Sequence, residues 1–361
     1  VTVTGESAVC LTLNRSSFDQ QLGSLKALLQ RKIDTYEIPI DTKAKKSAEI
    51  PFDNLDVVGT LGIGAFGHVK LMQDRKTKHV YALKSVSKAL IVEKGQQDHI
   101  RNERSILMKL DAHYFVNLYQ TYNTQHHVHF LMEASLGGEL FTLLRNKTHF
   151  SEKTARFYAG TVVLAFEYLQ ARNIIYRDLK PENLLLDSTG YIQLTDFGFA
   201  KVIKNRTFTL CGTPDYLAPE MVSGSPHGKG VDWWTLGILI YEMLACYPPF
   251  YASDQMKTYK KIIRGKIKFP KYFSSNVISL IRGLTNVKPA NRLGVVVGGA
   301  TNIKNHAWFR GFDWKALENH TMKAPIIPKI LSKTDISNFD EFEEPKFKPY
   351  EDDGTGWDVE F

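Results

Sequence analysis

Four polar residues of this 361-residue chain stand at spacings that suit phosphate chemistry. The segment DLKPEN at 178–183 contains Asp178, Lys180 and Asn183, and Asp196 opens the sequence DFG. An aspartate can accept a hydroxyl proton, a lysine can contact a transferring phosphate, and carboxylate or carboxamide oxygens are ligands for Mg²⁺. Each residue taken singly would be an ordinary polar loop residue. Their joint spacing predicts phosphoryl transfer, with Asp178 as base, Lys180 at the phosphate, and Asn183 and Asp196 as metal ligands.

A glycine-rich segment, GIGAFGHV at 62–69, lies upstream, and Lys84 follows it by fifteen residues (84 − 69). Glycines let backbone N–H groups approach phosphate oxygens, and a following strand can direct a lysine at them. By itself the pattern indicates no more than a tight hairpin. A dinucleotide-binding fold would place a helix after the glycines. The apolar alternation of Val69 and Leu71 predicts a strand there instead.

In this order the motifs, together with YRD at 176–178 and APE at 218–220, resemble those of eukaryotic protein kinases. The resemblance covers residues 55–309. It implies an α+β fold of two lobes, a β-rich small lobe over 55–132 and a mainly helical large lobe over 136–309. It also implies a Ser/Thr protein kinase that transfers the γ-phosphate of ATP with Mg²⁺.

The alternative from another class is a non-catalytic scaffold with the same fold. Such proteins usually lose the strand lysine, the catalytic aspartate or the metal aspartate, whereas this chain keeps Lys84, Asp178 and Asp196. The scaffold reading is therefore disfavoured. Lys180 is typical of Ser/Thr kinases and disfavours a tyrosine kinase.

The resemblance also assigns partners to these residues. Glu103, on the predicted small-lobe helix, is expected to pair with Lys84, although a solvated ion pair with neighbouring cations is its alternative. The implied nucleotide site is mainly apolar, with backbone of the connector reading the adenine edge and Met132 limiting the depth of the pocket. Its residues are Leu61, Gly62, Gly64, Gly67, Val69, Ala82, Lys84, Met132, Glu133, Ser135, Leu185 and Phe339.

Three acids match positions where relatives of protein kinase A bind arginines that precede the phosphorylated residue. Because carboxylates bind guanidinium bidentately, they imply basic substrates of the Arg-Arg-x-Ser/Thr kind. The substrate residues are Glu139, Glu182 and Glu242 for the arginines, and Leu210, Pro214 and Leu217 for an apolar residue just after the acceptor. Thr209 matches the activation-loop phosphosite, whose phosphate is expected to draw in Arg177, Lys201 and His99.

Residues 310–361 resemble the C-terminal tail of the AGC group of kinases. The ending GWDVEF at 356–361 is similar to that of cGMP-dependent protein kinases. Residues 1–36 resemble the last strand and helix of a cyclic-nucleotide-binding domain, and 37–54 form a polar linker. These features predict the catalytic part of a longer chain regulated by cGMP through domains upstream, with a cAMP-type kinase as the alternative. The cyclic-nucleotide cassette would precede this segment, so the chain itself is not expected to bind cGMP.

Composition is typical of a folded protein, with 43% apolar residues. Lys and Arg exceed Asp and Glu by 46 − 38 = 8, but the basic residues are scattered, with one short cluster at 43–46. No nucleic-acid motif accompanies them. Cys10, Cys211 and Cys246 lack metal-ligand spacing, and the longest apolar stretch, 233–247, is too short for a bilayer. We therefore expect a cytoplasmic, monomeric segment without a transmembrane span.

Overall fold

The computed structural model describes residues 49–343 and 347–361. The predicted strand and helix within 1–36, and residues 37–48 of the linker, lie outside the described residues. The predicted α+β class is confirmed, because an antiparallel sheet is followed by a mainly helical region.

The small lobe is built on a five-stranded sheet in the order β1-β2-β3-β5-β4, antiparallel throughout. On β3, Tyr81 and Leu83 enter a small apolar core, whereas Ala82 and Lys84 face the cleft between the lobes. This alternation is the period of two that a strand imposes. The strands are β1 (Leu55–Ile63), β2 (Gly67–Asp74), β3 (Val80–Ser87), β4 (Leu118–Asn123) and β5 (His127–Glu133).

The remaining described elements are mostly helices, and the central one is almost entirely buried. Every residue of α6 between Val231 and Leu244 is buried, as its near-continuous apolar sequence predicts. No helix in the described part of the chain combines the length and apolar composition needed to cross a bilayer. The helices are α1 (Lys88–Glu93), α2 (Gln97–Leu107), α3 (Leu140–Lys147), α4 (Glu152–Ala171), α5 (Pro219–Val222), α6 (Gly230–Ala245), α7 (Gln255–Arg264), α8 (Ser275–Leu284), α9 (Ala300–Lys304) and α10 (Trp314–Glu318).

Four short strands fix the two polar segments beneath the small lobe. The hairpin of β7 (Leu184–Leu186) and β8 (Ile192–Leu194) follows the DLKPEN segment and precedes the DFG segment. The pair of β6 (Ile174–Ile175) and β9 (Lys201–Val202) closes the other ends. Because each segment is bounded by paired strands, the two are held side by side.

The end of the chain packs on the small lobe. Trp357 is 4% exposed, and the Phe361 ring meets Phe130 of β5 edge-on with 5.4 Å between centroids. Asp358 forms an ion pair with the buried Lys88, with 2.6 Å between Oδ2 and Nζ. The aromatic ending therefore packs against the small lobe.

Candidate active site

Lys84 lies at the centre of a charged cluster between the lobes. Its Nζ is 2.7 Å from Oε1 of Glu103, on α2, and 3.7 Å from Oδ1 of Asp196. Burial opposes the charge of Lys84, but the Glu103 and Asp196 carboxylates outweigh it and raise the pKa of the lysine. The same lysine is the main cause of the lowered pKa of Asp196. Burial raises the pKa of Glu103, and the charge of Lys84 opposes that rise. The cluster therefore favours the charged forms of Lys84 and Asp196.

Asp178 lies in a second cluster, with its side chain 3% exposed. Its Oδ2 accepts hydrogen bonds from Lys180 Nζ at 3.0 Å and Asn183 Nδ2 at 2.8 Å, and its Oδ1 accepts one from Thr213 Oγ1 at 3.2 Å. Asn183 Nδ2 also donates to the Asp178 carbonyl at 2.8 Å. Three donors thus fix the carboxylate in one orientation.

The backbone beside both aspartates adopts the left-handed region. Arg177 has φ 70° and Asp196 has φ 56°. Residues other than glycine rarely adopt this backbone conformation, so contacts with the surrounding structure must stabilise it. Asp232, buried at the start of α6, accepts the backbone N–H groups of Tyr176 at 3.0 Å and Arg177 at 2.9 Å. Asp232 is therefore the anchor of the strained turn that precedes Asp178.

The glycines of the 62–69 segment serve two different purposes. A Cβ on Gly62 would meet no atom within 4 Å, and one on Gly64 would reach only the Gly67 carbonyl at that distance. A Cβ on Gly67 would lie 1.8 Å from the Ser85 carbonyl oxygen. Gly67 is thus required by the close approach of β2 and β3, whereas Gly62 and Gly64 leave open space for a ligand.

A cleft of about 300 Å³ contains every predicted nucleotide residue except Gly67. Gly67 lines a neighbouring cavity of about 320 Å³ with Asp178 and Lys180, and both spaces share Lys84 and Asp196. Phe339 reaches the cleft from the tail because the Asn338 amide donates to the Leu136 carbonyl at 3.0 Å. Sequence reasoning missed Leu107, Val116 and Thr195, which also line the cleft.

Two hard oxygen groups are available for a metal ion. The Asn183 side chain donates both of its hydrogen bonds to Asp178 from Nδ2, which leaves Oδ1 as its atom that could bind a metal. The Asp196 side chain is 49% exposed. Within the described residues, no group of three or more His, Cys, Asp or Glu side chains is placed to hold a metal. These two oxygen groups suit a cation that binds only a few protein oxygens and completes its coordination shell with phosphate and water.

The predicted substrate acids occupy unequal environments. Glu139 and Glu182 are half-buried and line the cleft. Glu242 is 5% exposed and already paired within the chain, to Arg145 at 3.2 Å and to the Tyr216 hydroxyl. Burial raises the pKa of Glu242, while Tyr216 and Arg145 oppose that rise. Sequence reasoning missed Arg145, because nothing local marks a partner 97 residues away.

The activation segment exposes its predicted phosphosite. Thr209 is exposed, Leu210 is 58% exposed, and Leu217 is buried at 4%. Arg177 donates from Nε to the Phe199 carbonyl at 2.7 Å, and Lys201 donates to Thr207 Oγ1 at 3.2 Å. Pro214 begins a short 3₁₀ turn beside these residues, Pro214–Tyr216.

Comparison with known proteins agrees with this geometry. The protein kinase domain model matches residues 55–309. A cGMP-dependent protein kinase of Drosophila melanogaster, isozyme 2, is 42% identical over 357 residues, covering 98% of this chain and 38% of that protein. The cAMP-dependent protein kinase catalytic subunit of Dictyostelium discoideum is 46% identical over 312 residues, covering 86% of this chain and 48% of that protein.

A cAMP-dependent protein kinase catalytic subunit of Homo sapiens is 45% identical over 291 residues, 81% of each chain. The chain therefore spans less than half the length of the fly and slime-mould relatives. With the match to the family model and the ion pair, aspartates and cleft described above, the chain belongs to the protein kinase family.

Proposed function

We propose that this chain is a Ser/Thr protein kinase segment that transfers the γ-phosphate of ATP to a hydroxyl. The observation that carries the proposal is the 2.7 Å ion pair of Lys84 with Glu103, in a cleft that also holds Asp178 and Asp196. A scaffold would have no need of a lysine held between two carboxyl groups, Glu103 and Asp196, beside an open cavity, since buried charges cost stability.

Asp178 is the residue that accepts the hydroxyl proton. Its three donors leave the carboxylate oriented for an incoming Ser or Thr. Lys180 shares Oδ2 with Asn183 and can turn to the transferred phosphoryl group, where its charge stabilises the developing negative charge. Thr213 keeps Asp178 in place while Lys180 moves.

Lys84 contacts the phosphates next to the nucleoside, and Glu103 holds the lysine in position. Asn183 and Asp196 hold Mg²⁺, which neutralises phosphate charge when bound. Ala82, Met132 and Leu185 contact the adenine. In this assignment Gly62 and Gly64 admit the phosphates, since a Cβ there would occupy the open space.

Substrates of this site carry arginines before the acceptor. Glu139 and Glu182 are the primary acids for them, because both line the open cleft. Glu242 accepts a substrate arginine in exchange for, or beside, Arg145. Leu210, exposed next to Thr209, covers the apolar residue after the acceptor.

Regulation by cGMP is the more specific part of the proposal. The relatives named cGMP-dependent match 97–98% of this chain, whereas those named cAMP-dependent match 81–86%. The extra coverage supports a chain in which the kinase continues from a cyclic-nucleotide module. Equal activity of the full-length protein with and without cGMP would exclude this part. Activation by cAMP at lower concentration than cGMP would favour the alternative.

The decisive test is phosphate transfer from radiolabelled ATP with Mg²⁺ to an Arg-Arg-x-Ser peptide and to its Ala-Ala-x-Ser control. We expect transfer to the arginine peptide, lost in Asp178→Ala and retained in Asp53→Asn, which changes an exposed acid outside the cleft. No transfer by protein phosphorylated at Thr209 would contradict the proposal. Equal transfer to both peptides would reject the basic substrate class while keeping the kinase.

A further inference from the structure

The charge excess of this chain is concentrated in one stretch. Residues 255–271 contain seven basic residues and no acid, against an excess of 46 − 38 = 8 for the whole chain. The prediction that the basic residues are scattered is therefore wrong for this stretch. Other residues separate most of these cations, so they do not form a consecutive basic run. The seven are Lys257, Lys260, Lys261, Arg264, Lys266, Lys268 and Lys271.

All seven side chains are exposed. None forms an ion pair within the described residues, and Lys261 Nζ is the one with a described hydrogen bond, to the Tyr251 carbonyl at 2.6 Å. The acid nearest in sequence, Asp254, caps the first turn of α7 by accepting from the Met256 N–H at 2.9 Å. We call these seven cations the α7 basic surface.

The helix is fixed to the protein by its other face. Thr258 and Ile262 lie four residues apart, on one face of the helix, and both are buried. The basic residues of the helix, one or two positions before or after them in sequence, therefore project outward. Two apolar residues of the helix, Met256 and Ile263, are also exposed, at 59% and 51%. A helix and the segment after it that present exposed cations without ion pairs form a surface suited to an anionic partner.

The position of α7 indicates which anionic partner. The helix packs against the turn Pro214–Tyr216 and against α5. That turn carries Pro214, which belongs to the proposed site for the residue just after the acceptor. The helix α7 therefore lies next to the place where a substrate chain would leave this site. A lipid surface has no such relation to the acceptor site.

We propose that the α7 basic surface binds an acidic segment on the C-terminal side of the phosphorylated residue of protein substrates. The proposal rests on the proposed function, because it takes Pro214 as part of the acceptor site. Acids that line the cleft, Glu139 and Glu182, and cations on α7 then give the substrate site opposite charges at its two ends. Such complementarity fixes the direction in which a peptide binds.

The test compares two peptides that share Arg-Arg-x-Ser-Leu and end in six glutamates or six glutamines, about 20 Å of extended chain. Exposed charge pairs are individually weak, so we expect several of them to lower KM for the glutamate peptide by about tenfold at low salt, with kcat unchanged. High salt should abolish the difference, because screening acts strongly on exposed charges.

The variant Lys257→Gln/Lys260→Gln/Arg264→Gln should remove the preference for the glutamate peptide without changing KM for the glutamine peptide. The matched control, Lys76→Gln/Lys78→Gln/Lys109→Gln, removes three exposed lysines of the small lobe and should leave the preference intact. Equal KM values for the two peptides on the unaltered protein would overturn the proposal.

If neither peptide is phosphorylated, the proposed function fails, and fluorescence anisotropy of the labelled peptides still decides the surface. Tighter binding of the glutamate peptide, lost in the α7 variant, would uphold it, and equal binding would overturn it. Vesicles containing phosphatidylserine supply the remaining comparison. Sedimentation with them that depends on the three α7 cations, without a peptide preference, would reassign the surface to membranes and overturn the substrate role.

Discussion

Replacing Glu103 by Gln should redirect Lys84 towards Asp196. In the structure Lys84 has two carboxylate partners, Glu103 at 2.7 Å and Asp196 at 3.7 Å. Glutamine keeps the size of Glu103 and a hydrogen-bond acceptor but removes its charge. The lysine stays charged, because Asp196 still favours its protonated form. Its strongest remaining partner is then the carboxylate that we propose for the metal.

The size of the effect follows from the two distances. At an effective dielectric constant of about 20, unit charges at these separations attract by about 6 and about 4.5 kcal/mol. Glu103 is thus preferred over Asp196 by about 1.5 kcal/mol, or roughly tenfold. Loss of that preference should raise the Mg²⁺ concentration for half-maximal activity about tenfold and lower kcat/KM for ATP by a similar factor.

Initial rates with the arginine peptide, measured across a series of Mg²⁺ concentrations, test this expectation. Glu318→Gln, an exposed acid on α10, is the control for a change of net charge. Thermal unfolding of Glu103→Gln shows whether the fold is intact. A folded Glu103→Gln protein whose metal requirement matches the control would refute the argument that Glu103 keeps Lys84 away from Asp196.

Three further outcomes are expected. Thr209→Ala should lower kcat about tenfold or more relative to protein shown by mass spectrometry to be phosphorylated there, since the phosphate supplies a charge partner for Arg177; full activity of the variant would contradict the switch. Arg292→Leu should destabilise the protein by about 3–5 kcal/mol in urea unfolding, because it leaves the buried Glu220, now bound at 2.7 and 2.9 Å, without a counter-charge; a loss within error of zero would exclude this. Burial and neighbouring carboxylates raise the pKa of Glu139, so as the pH falls this residue is protonated before an ordinary glutamate. KM for the arginine peptide should therefore rise on acidification. If KM of the Glu139→Gln variant showed the same pH dependence, Glu139 would not be the residue responsible.

Much of the fold could be predicted because its signals are local. The alternation around Lys84 predicts a strand, and β3 extends over Val80–Ser87. The apolar run that begins near Trp233 predicts a buried helix, and α6 covers Gly230–Ala245. The strand is marked by a period of two, and the buried helix by the length of its near-continuous apolar run, so neighbouring residues carry the information in both cases.

Other features could not be predicted, because they depend on residues far apart in the chain. The pairing of Glu242 with Arg145 joins two helices, and neither sequence neighbourhood shows a sign of it. Gly67 is predicted as part of a phosphate loop, yet its contact with Ser85 explains why no side chain fits. The charge of the α7 basic surface can be read from residues 255–271, but only the structure shows that its cations are exposed and that α7 packs beside Pro214.

The chemical groups, the order of the motifs and the type of most elements can be read directly from the amino-acid sequence. The sequence also supported the inference of a protein kinase, since the combination of Lys84, Asp178 and Asp196 at these spacings is specific. Tertiary structure decided which charges meet, how deeply they are buried and which of them remain open to a substrate. The physical reason is that backbone preferences act over a few residues, whereas charge pairing and burial depend on how the packed lobes bring distant segments within a few ångströms.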